Sequence, residues 1–455
     1  MLVEILSRIQ FGFSIGFHIL FPTLNLGLGI FLVIMEACWL KTNKPVYLAI
    51  CKFWTKIFAL TFGMGVVSGI VLAYQIGTNF GPFIIKFGEI LGALFAYETL
   101  TAFFLEAGFL GVMLFGWKRV PPGLHFSATL MVVIGTTISA FWIMSANSWM
   151  QTPGGHILTE DHYRVSSWLG IVFNPSFLPR YFHMLFASYT TTCFVIAAVG
   201  AYFLRNGYHT EIGRKCLAFG LLAALIAVPI QIGIGDKVGL IVHEYQPLKT
   251  SAMEAVWQTE KGAPLILFAW PSKSEQKNEF VISIPKLASF LNTHDWDGEL
   301  TGLSTVPREE QPPVAAVFFS FRIMVGLGIL MLLTAVVGSI LYWKKSLFNN
   351  RLFQAWCIWM TPAGFIAAIA GWLTAEMGRQ PWVVYNLMHT HEAVSLVGVE
   401  EVIISMILLV LTYGIIFAFC MYFVLKLIRT GPLTKKRKTI EDHSFQYMTA
   451  FPKEE

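Results

Sequence analysis

Apolar residues in this chain gather into continuous runs, broken by short polar stretches, rather than recurring on one face of a helix or alternating along a strand. A helix rises 1.5 Å per residue, so about 20 apolar residues cross the hydrocarbon layer of a bilayer. Nine such runs can be read, at 9–38, 54–76, 94–116, 124–146, 183–204, 215–235, 315–343, 353–375 and 398–428. The pattern predicts an all-α polytopic membrane protein: helices 1–6 within 1–235, a long loop at 236–314, helices 7–9 within 315–428, and a basic tail at 429–455. The N-terminus has neither a basic leader nor an A-x-A cleavage site, so the first run is expected to remain as a helix.

Composition agrees with this reading. The chain has 455 residues, of which 55% are hydrophobic and 13% charged, with a mean hydropathy of +0.63. Its positive charges sit on one side if the runs are nine crossings. Lys41, Lys44 and Lys52 follow helix 1, Lys118 and Arg119 helix 3, and Arg205, Arg214 and Lys215 helix 5. Lys344, Lys345 and Arg351 follow helix 7, and Lys435-Lys436-Arg437-Lys438 follow helix 9. Basic loops stay in the cytoplasm, which puts the N-terminus outside and the C-terminus inside. The net charge of +5 expresses this bias and not a nucleic-acid surface, since no basic face with interleaved aromatics occurs. The six cysteines form no C-x-x-C or C-x-x-C-H, which argues against disulfides, zinc and covalently attached haem.

The external segment 236–314 is too long to be a plain connector. Within it, 246–257 is expected to form an amphipathic helix and 264–287 a hairpin that closes on Phe280-Val281-Ile282-Ser283-Ile284-Pro285.

The helices carry polar residues whose depth follows from this topology. His18 lies about 15 Å along helix 1. Glu98 sits in the first part of helix 3, with Glu106 roughly two turns deeper, and His183 opens helix 5. Arg322 and Met324 lie in the first half of helix 7, while Glu376 and Arg379 end helix 8, where Pro381 stops it. His18, Glu98, His183, Met324, Glu376 and Arg379 therefore converge in the outer half of the membrane. Charge there is costly and usually binds something, although a lone Glu–Arg pair also reads as an interfacial cap. A lone Met reads as packing and a lone His as an interhelical hydrogen bond. Together, a His and a Met at similar depth suit a low-spin haem, and Arg322 a haem propionate. The residues alone lead to a membrane redox or ion-coupled protein.

Ordered motifs carry the reading further. They are Ser7-Arg8-Ile9-Gln10-Phe11 with His18, Lys52-Phe53-Trp54, Gly77-Thr78-Asn79, Phe103-Phe104-Leu105-Glu106 and Ala146-Asn147-Ser148-Trp149-Met150-Gln151. Gly235-Asp236, Phe321-Arg322-Ile323-Met324 and Gly378-Arg379-Gln380-Pro381-Trp382 complete the set. In this order, over almost the whole length, the chain resembles subunit I of the cytochrome bd-type quinol oxidases. The short external loop and Gln380-Pro381-Trp382-Val383-Val384-Tyr385 resemble the branch often called cyanide-insensitive oxidases.

The resemblance implies a haem-bearing subunit that oxidises ubiquinol or menaquinol outside and reduces dioxygen to water with cytoplasmic protons, building a proton-motive force without pumping. It implies His183 and Met324 as ligands of a low-spin haem b. His18 and Glu376 would be axial ligands of two high-spin haems, one a haem b and the other haem d or a third haem b. Glu98 would ligate or gate a haem, Glu106 with Ser139 would bring protons inward, Trp372 would stand between haems, and Lys249 and Glu254 would meet quinol in the external loop, called the Q-loop. Arg379 belongs to the same constellation. The partners implied are a second membrane subunit, the lipid bilayer of a bacterial inner membrane and, in some relatives, a single-helix subunit.

Two rival classes fit less well. A haem–copper oxidase needs a cluster of helix-borne histidines. An ion-coupled transporter could use Glu98, Glu106 and Glu376 but has no need of His183 with Met324. Plainer readings hold elsewhere: Glu36 and His125 as interfacial residues, Lys249 and Glu254 as a surface salt bridge, His389 and His391 as solvated loop histidines, and His209 and His443 as cytoplasmic ones.

Overall fold

The computed structural model describes residues 2–432; the basic cluster 435–438 and His443 lie outside the described residues. Among the described residues, nine helices are long and apolar enough to cross a membrane. They are α1 (Leu2–Thr42), α2 (Pro45–Asn79), α3 (Gly81–Lys118), α4 (Pro122–Gln151), α5 (Phe177–Arg205), α6 (Thr210–Tyr245), α7 (Arg308–Trp343), α8 (Arg351–Met377) and α9 (Val399–Thr430). Eight of the nine apolar runs fall within one of them, and the ninth, 398–428, starts one residue before α9.

At most of their ends the helices outlast their apolar runs. Helix α3 begins at Gly81 and not near 94, because Lys86 and Glu89 make its first turns read as polar while Phe83, Phe87, Ile90 and Leu91 are fully packed. Glu98 is therefore about 25 Å along α3 and not near its start. Similarly, α5 begins at Phe177, which places His183 inside the helix, and α6 continues through Asp236 to Tyr245, so the loop boundary expected at 235/236 falls within a helix. A helix ends where its backbone bonding is interrupted, not where the hydrocarbon stops.

Helix α5 is the central pillar: 72% of its apolar window is buried inside the protein, against 11% for the peripheral α9. It lies directly on α6, where a Cβ on Gly220 would come within 2.4 Å of the Cys193 carbonyl and one on Gly200 within 2.5 Å of the Leu217 nitrogen. Small residues let the two backbones touch, as membrane helices require when lipid offers no hydrophobic drive for pairing. Midway along α3, Thr99–Phe103 adopts a π-helical turn directly after Glu98. Such turns are frequent at functional sites.

The external segment folds as expected and is packed down. A helix at Pro247–Glu254 is followed by strands β1 (Leu265–Ser272) and β2 (Lys277–Ile284), paired antiparallel, and by a helix at Leu287–Thr293. Ala252, Met253, Trp257 and Ile266 join Val317 and Phe318 of α7 in one apolar cluster. The loop is thereby fixed onto the outer end of α7.

Candidate functional site

Three of the expected iron ligands lie against a glycine on a neighbouring helix. A Cβ on Gly235 of α6 would lie 3.1 Å from His183 Cε1, one on Gly371 of α8 2.8 Å from Met324 Sδ, and one on Gly69 of α2 3.3 Å from His18 Cε1. Any larger residue would displace the side chain. His183 has its Nδ1 buried with no hydrogen-bond partner among the described residues, and its Nε2 lies 3.3 Å from the Gln231 amide nitrogen. His18 is oriented differently. Its Nδ1 lies 2.9 Å from Ser68 Oγ, whose proton goes to the Met64 carbonyl at 2.8 Å. The hydroxyl can then only accept, so the imidazole carries its proton on Nδ1 and keeps the Nε2 lone pair free to ligate. Trp372, one turn before Glu376 on α8, reaches across to Gly12 of α1.

At the C-terminal end of α8, Glu376 is the hub of a buried polar network. Its Oε2 accepts from Arg379 Nη2 at 2.5 Å, and its Oε1 accepts from Asn147 Nδ2 at 2.9 Å and Gln151 Nε2 at 3.2 Å. Asn147 Oδ1 accepts from Arg180 Nη2, and Gln151 Oε1 from Lys249 Nζ, both at 2.5 Å. Asn147 and Gln151 share a face of α4 because they are four residues apart. Arg180, Arg379 and Lys249 thus surround one carboxylate. Burial, and then the guanidinium groups of Arg180 and Arg379, hold the Lys249 ammonium well below the usual lysine range. Arg379 Nε and Nη1 and Arg180 Nε are buried with no partner among the described residues. Buried charge normally finds a counter-charge. A cluster with more cations than anions and unmet donors fits a second anion, and haem propionates have that chemistry. The residues present therefore fit haem.

The structure does not put every expected residue where the sequence put it. Lys249 and Glu254 are each 2% exposed and do not pair with one another, so the surface salt-bridge reading is corrected. Glu254 Oε2 instead accepts from Arg322 Nη2 at 2.6 Å, while Arg322 Nε donates to the Ile266 carbonyl at 2.7 Å. Arg322, read as a propionate partner, also ties the segment between α6 and α7 to α7, and Arg180 and Arg379 carry the unmet buried donors. Ser139 Oγ donates to Glu98 Oε1 at 2.7 Å, and Glu106 is buried on the same helix as Glu98. His389 stacks on Trp382 with ring centres 3.8 Å apart and lies 3.4 Å from Glu310, so it is not a solvated loop residue. Arg180 escaped the sequence reading; a charge one turn before His183 was the available signal.

Comparison with known proteins places this arrangement. The family model for cytochrome bd terminal oxidase subunit I matches residues 6–432. The chain is 32% identical to the cytochrome bd-II ubiquinol oxidase subunit 1 of Escherichia coli (strain K12), covering 94% of this chain and 96% of that one. It is 33% identical to the cytochrome bd ubiquinol oxidase subunit 1 of Bacillus subtilis (strain 168), with 94% of each covered. The solved structure of bd oxidase from Geobacillus thermodenitrificans superposes with a TM-score of 0.88 at 30% identity, covering 94% of this chain and 99% of that one. The chain belongs to the cytochrome bd terminal oxidase subunit I family.

Proposed function

We propose that this chain holds a low-spin haem b between His183 and Met324 and two high-spin haems at His18 and Glu376, a haem b with haem d or a third haem b. Family membership makes the protein a quinol-oxidising, oxygen-reducing subunit with haem cofactors, multi-pass in the bacterial inner membrane and acting with a subunit II. The finer reading is that ubiquinol or menaquinol is oxidised on the outer face, that protons for water come from the cytoplasm, and that charge is separated without pumping. The observation that carries the haem assignment is the cation cluster around Glu376 with its unmet buried donors.

When bound, the haems supply the electron transfer and the iron chemistry of oxygen reduction. The chain's own residues do the rest. His183, Met324, His18 and Glu376 would hold the irons, and Arg180 and Arg379 would neutralise the propionates. Lys249 and Glu254 line the quinol site from opposite ends of the helix Pro247–Glu254. A Lys249 amine held low in pKa is a competent proton acceptor as quinol gives up its protons. Arg322 orients the Glu254 carboxylate. On the opposite side, Glu106 holds a proton in the membrane interior, and Ser139 can pass one to Glu98 across their 2.7 Å bond.

The test is a reduced-minus-oxidised absorption spectrum of the purified complex with subunit II, together with chromatographic typing of the extracted haem. Low-spin b and high-spin signals are expected; a red-shifted chlorin band marks haem d and its absence an all-b set. A colourless intact complex overturns the reading. A sharper check uses Gly371→Ala. Its added carbon would lie 2.8 Å from Met324 Sδ, so the low-spin band should shift or weaken while the high-spin signals persist.

A further inference from the structure

Glu36 and His125 read from sequence as interfacial residues, and the structure shows them buried against one another, 1% and 2% exposed. They lie at the end of the bundle opposite the external loop, where α1 meets α4. His125 Nδ1 is 2.6 Å from Glu36 Oε1, and Glu36 Oε2 accepts from Thr129 Oγ1 at 2.8 Å. The other ring nitrogen, Nε2, is 3.1 Å from the Met113 carbonyl. A carbonyl only accepts, so Nε2 must carry a hydrogen. One mobile proton then remains between Nδ1 and Oε1, and removing it would set a lone pair against a carboxylate at 2.6 Å.

The groups around this pair give it two sides. Toward the membrane surface, Trp117 lies on the His125 ring with centres 3.8 Å apart, and Lys52 Nζ lies 5.5 Å over that indole. Cys38 on α1 and Cys51 and Lys52 on α2 are the other titratable groups nearby. Toward the interior, His125, Thr129, Thr136 and Ser139 fall within about 80° of one face of α4 and climb roughly 21 Å. Ser139 ends that row on Glu98. On α3, Met113 and Glu106 are the buried residues of Phe104–Phe115 and lie two turns apart on one face. The pair is thus the foot of one polar row that rises to Glu98, while apolar Met113 stands between it and Glu106.

We propose that Glu36 and His125 form a proton-holding site that loads from the cytoplasm and feeds the Glu98–Ser139 pair. This rests on the proposed orientation and on cytoplasmic protons being consumed. The loaded pair is neutral, a carboxylate beside an imidazolium. Passing its proton upward by way of Thr129 leaves one net negative charge, which draws the next proton past Trp117 and restores the pair. A buried latch between α1 and α4 would need the attraction but no exchangeable proton.

The experiment uses the whole oxidase in proteoliposomes with a pH dye trapped on the cytoplasmic side, following proton uptake and oxygen consumption. Glu36→Gln keeps the shape but not the charge. It is expected to slow both about 10- to 100-fold, with the quinol KM and haem spectrum unchanged, a larger solvent deuterium effect, and partial recovery in Glu36→Asp. Thr129→Val, neutral and of equal size, should slow uptake several-fold, and it decides the matter if Glu36→Gln fails to assemble. Wild-type uptake in the assembled variants, even with reduced thermal stability, overturns the proposal in favour of a latch. A wild-type complex with neither haem nor oxygen consumption overturns the oxidase reading, and this proposal with it.

Discussion

Replacing His183 by alanine is expected to remove the low-spin haem signal and cut quinol-supported oxygen consumption by more than about 100-fold. The ring is held on α5, the most enclosed helix, with one nitrogen free of any partner and Gly235 keeping space beside it. No other histidine is assigned to that position, so neighbouring side chains offer no substitute. Met324→Ala should give the same spectral loss from α7. High-spin signals should survive in both, because His18 and Glu376 are held by separate contacts to Ser68 and to Asn147 and Arg379. Difference spectra beside oxygen-electrode rates measure this. Normal low-spin absorbance in either variant would remove that residue from the ligand set.

The other large effect belongs to Arg322. Changing it to leucine leaves the Glu254 carboxylate buried, with Asn292 Nδ2 at 3.4 Å as its remaining side-chain partner. Breaking a buried ion pair from one side costs about 3–5 kcal/mol. Because Arg322 also donates to the Ile266 carbonyl, the loss unfastens the first part of the external segment from α7. Quinol oxidation should fall steeply, with haem content and dithionite reduction intact. Adding Glu254→Leu should return part of the stability without the turnover, since the stranded charge is gone but so is the quinol-site carboxylate. Denaturation of the two variants, read against quinol kinetics, separates these contributions. Full quinol turnover in Arg322→Leu would take Glu254 out of the quinol site.

Much of this was legible in the sequence because the bilayer imposes a length on apolar runs. Every span followed from counting residues, but helix starts at Phe177 and Gly81 set His183 and Glu98 further along their helices than the count gave. Depth does not specify azimuth, however, and partners depend on azimuth. The sequence placed Glu36 and His125 near the inner surface, yet gave no sign that they face one another across α1 and α4. Lys249 and Glu254 looked solvated because a polar helix in a loop reads as exposed. Their burial comes from the loop folding onto α7, a tertiary event. Arg180 was passed over since a basic residue just outside an apolar run reads as an interfacial anchor, and only the extension of α5 back to Phe177 places it beside Asn147.

The cluster of Arg180, Arg379 and Lys249 around Glu376 also bears on biogenesis. Packed together in a dry site, the two guanidinium groups repel one another and outnumber the single carboxylate, so the C-terminal end of α8 would resist closing by itself. A dianionic cofactor reverses the sign of that interaction, and its binding free energy becomes stability of the closed subunit. Insertion of the prosthetic group and the final docking of α8 against α4 and α5 are then one event. A chain that has not received it would keep this end loose, and membrane proteases would find it there.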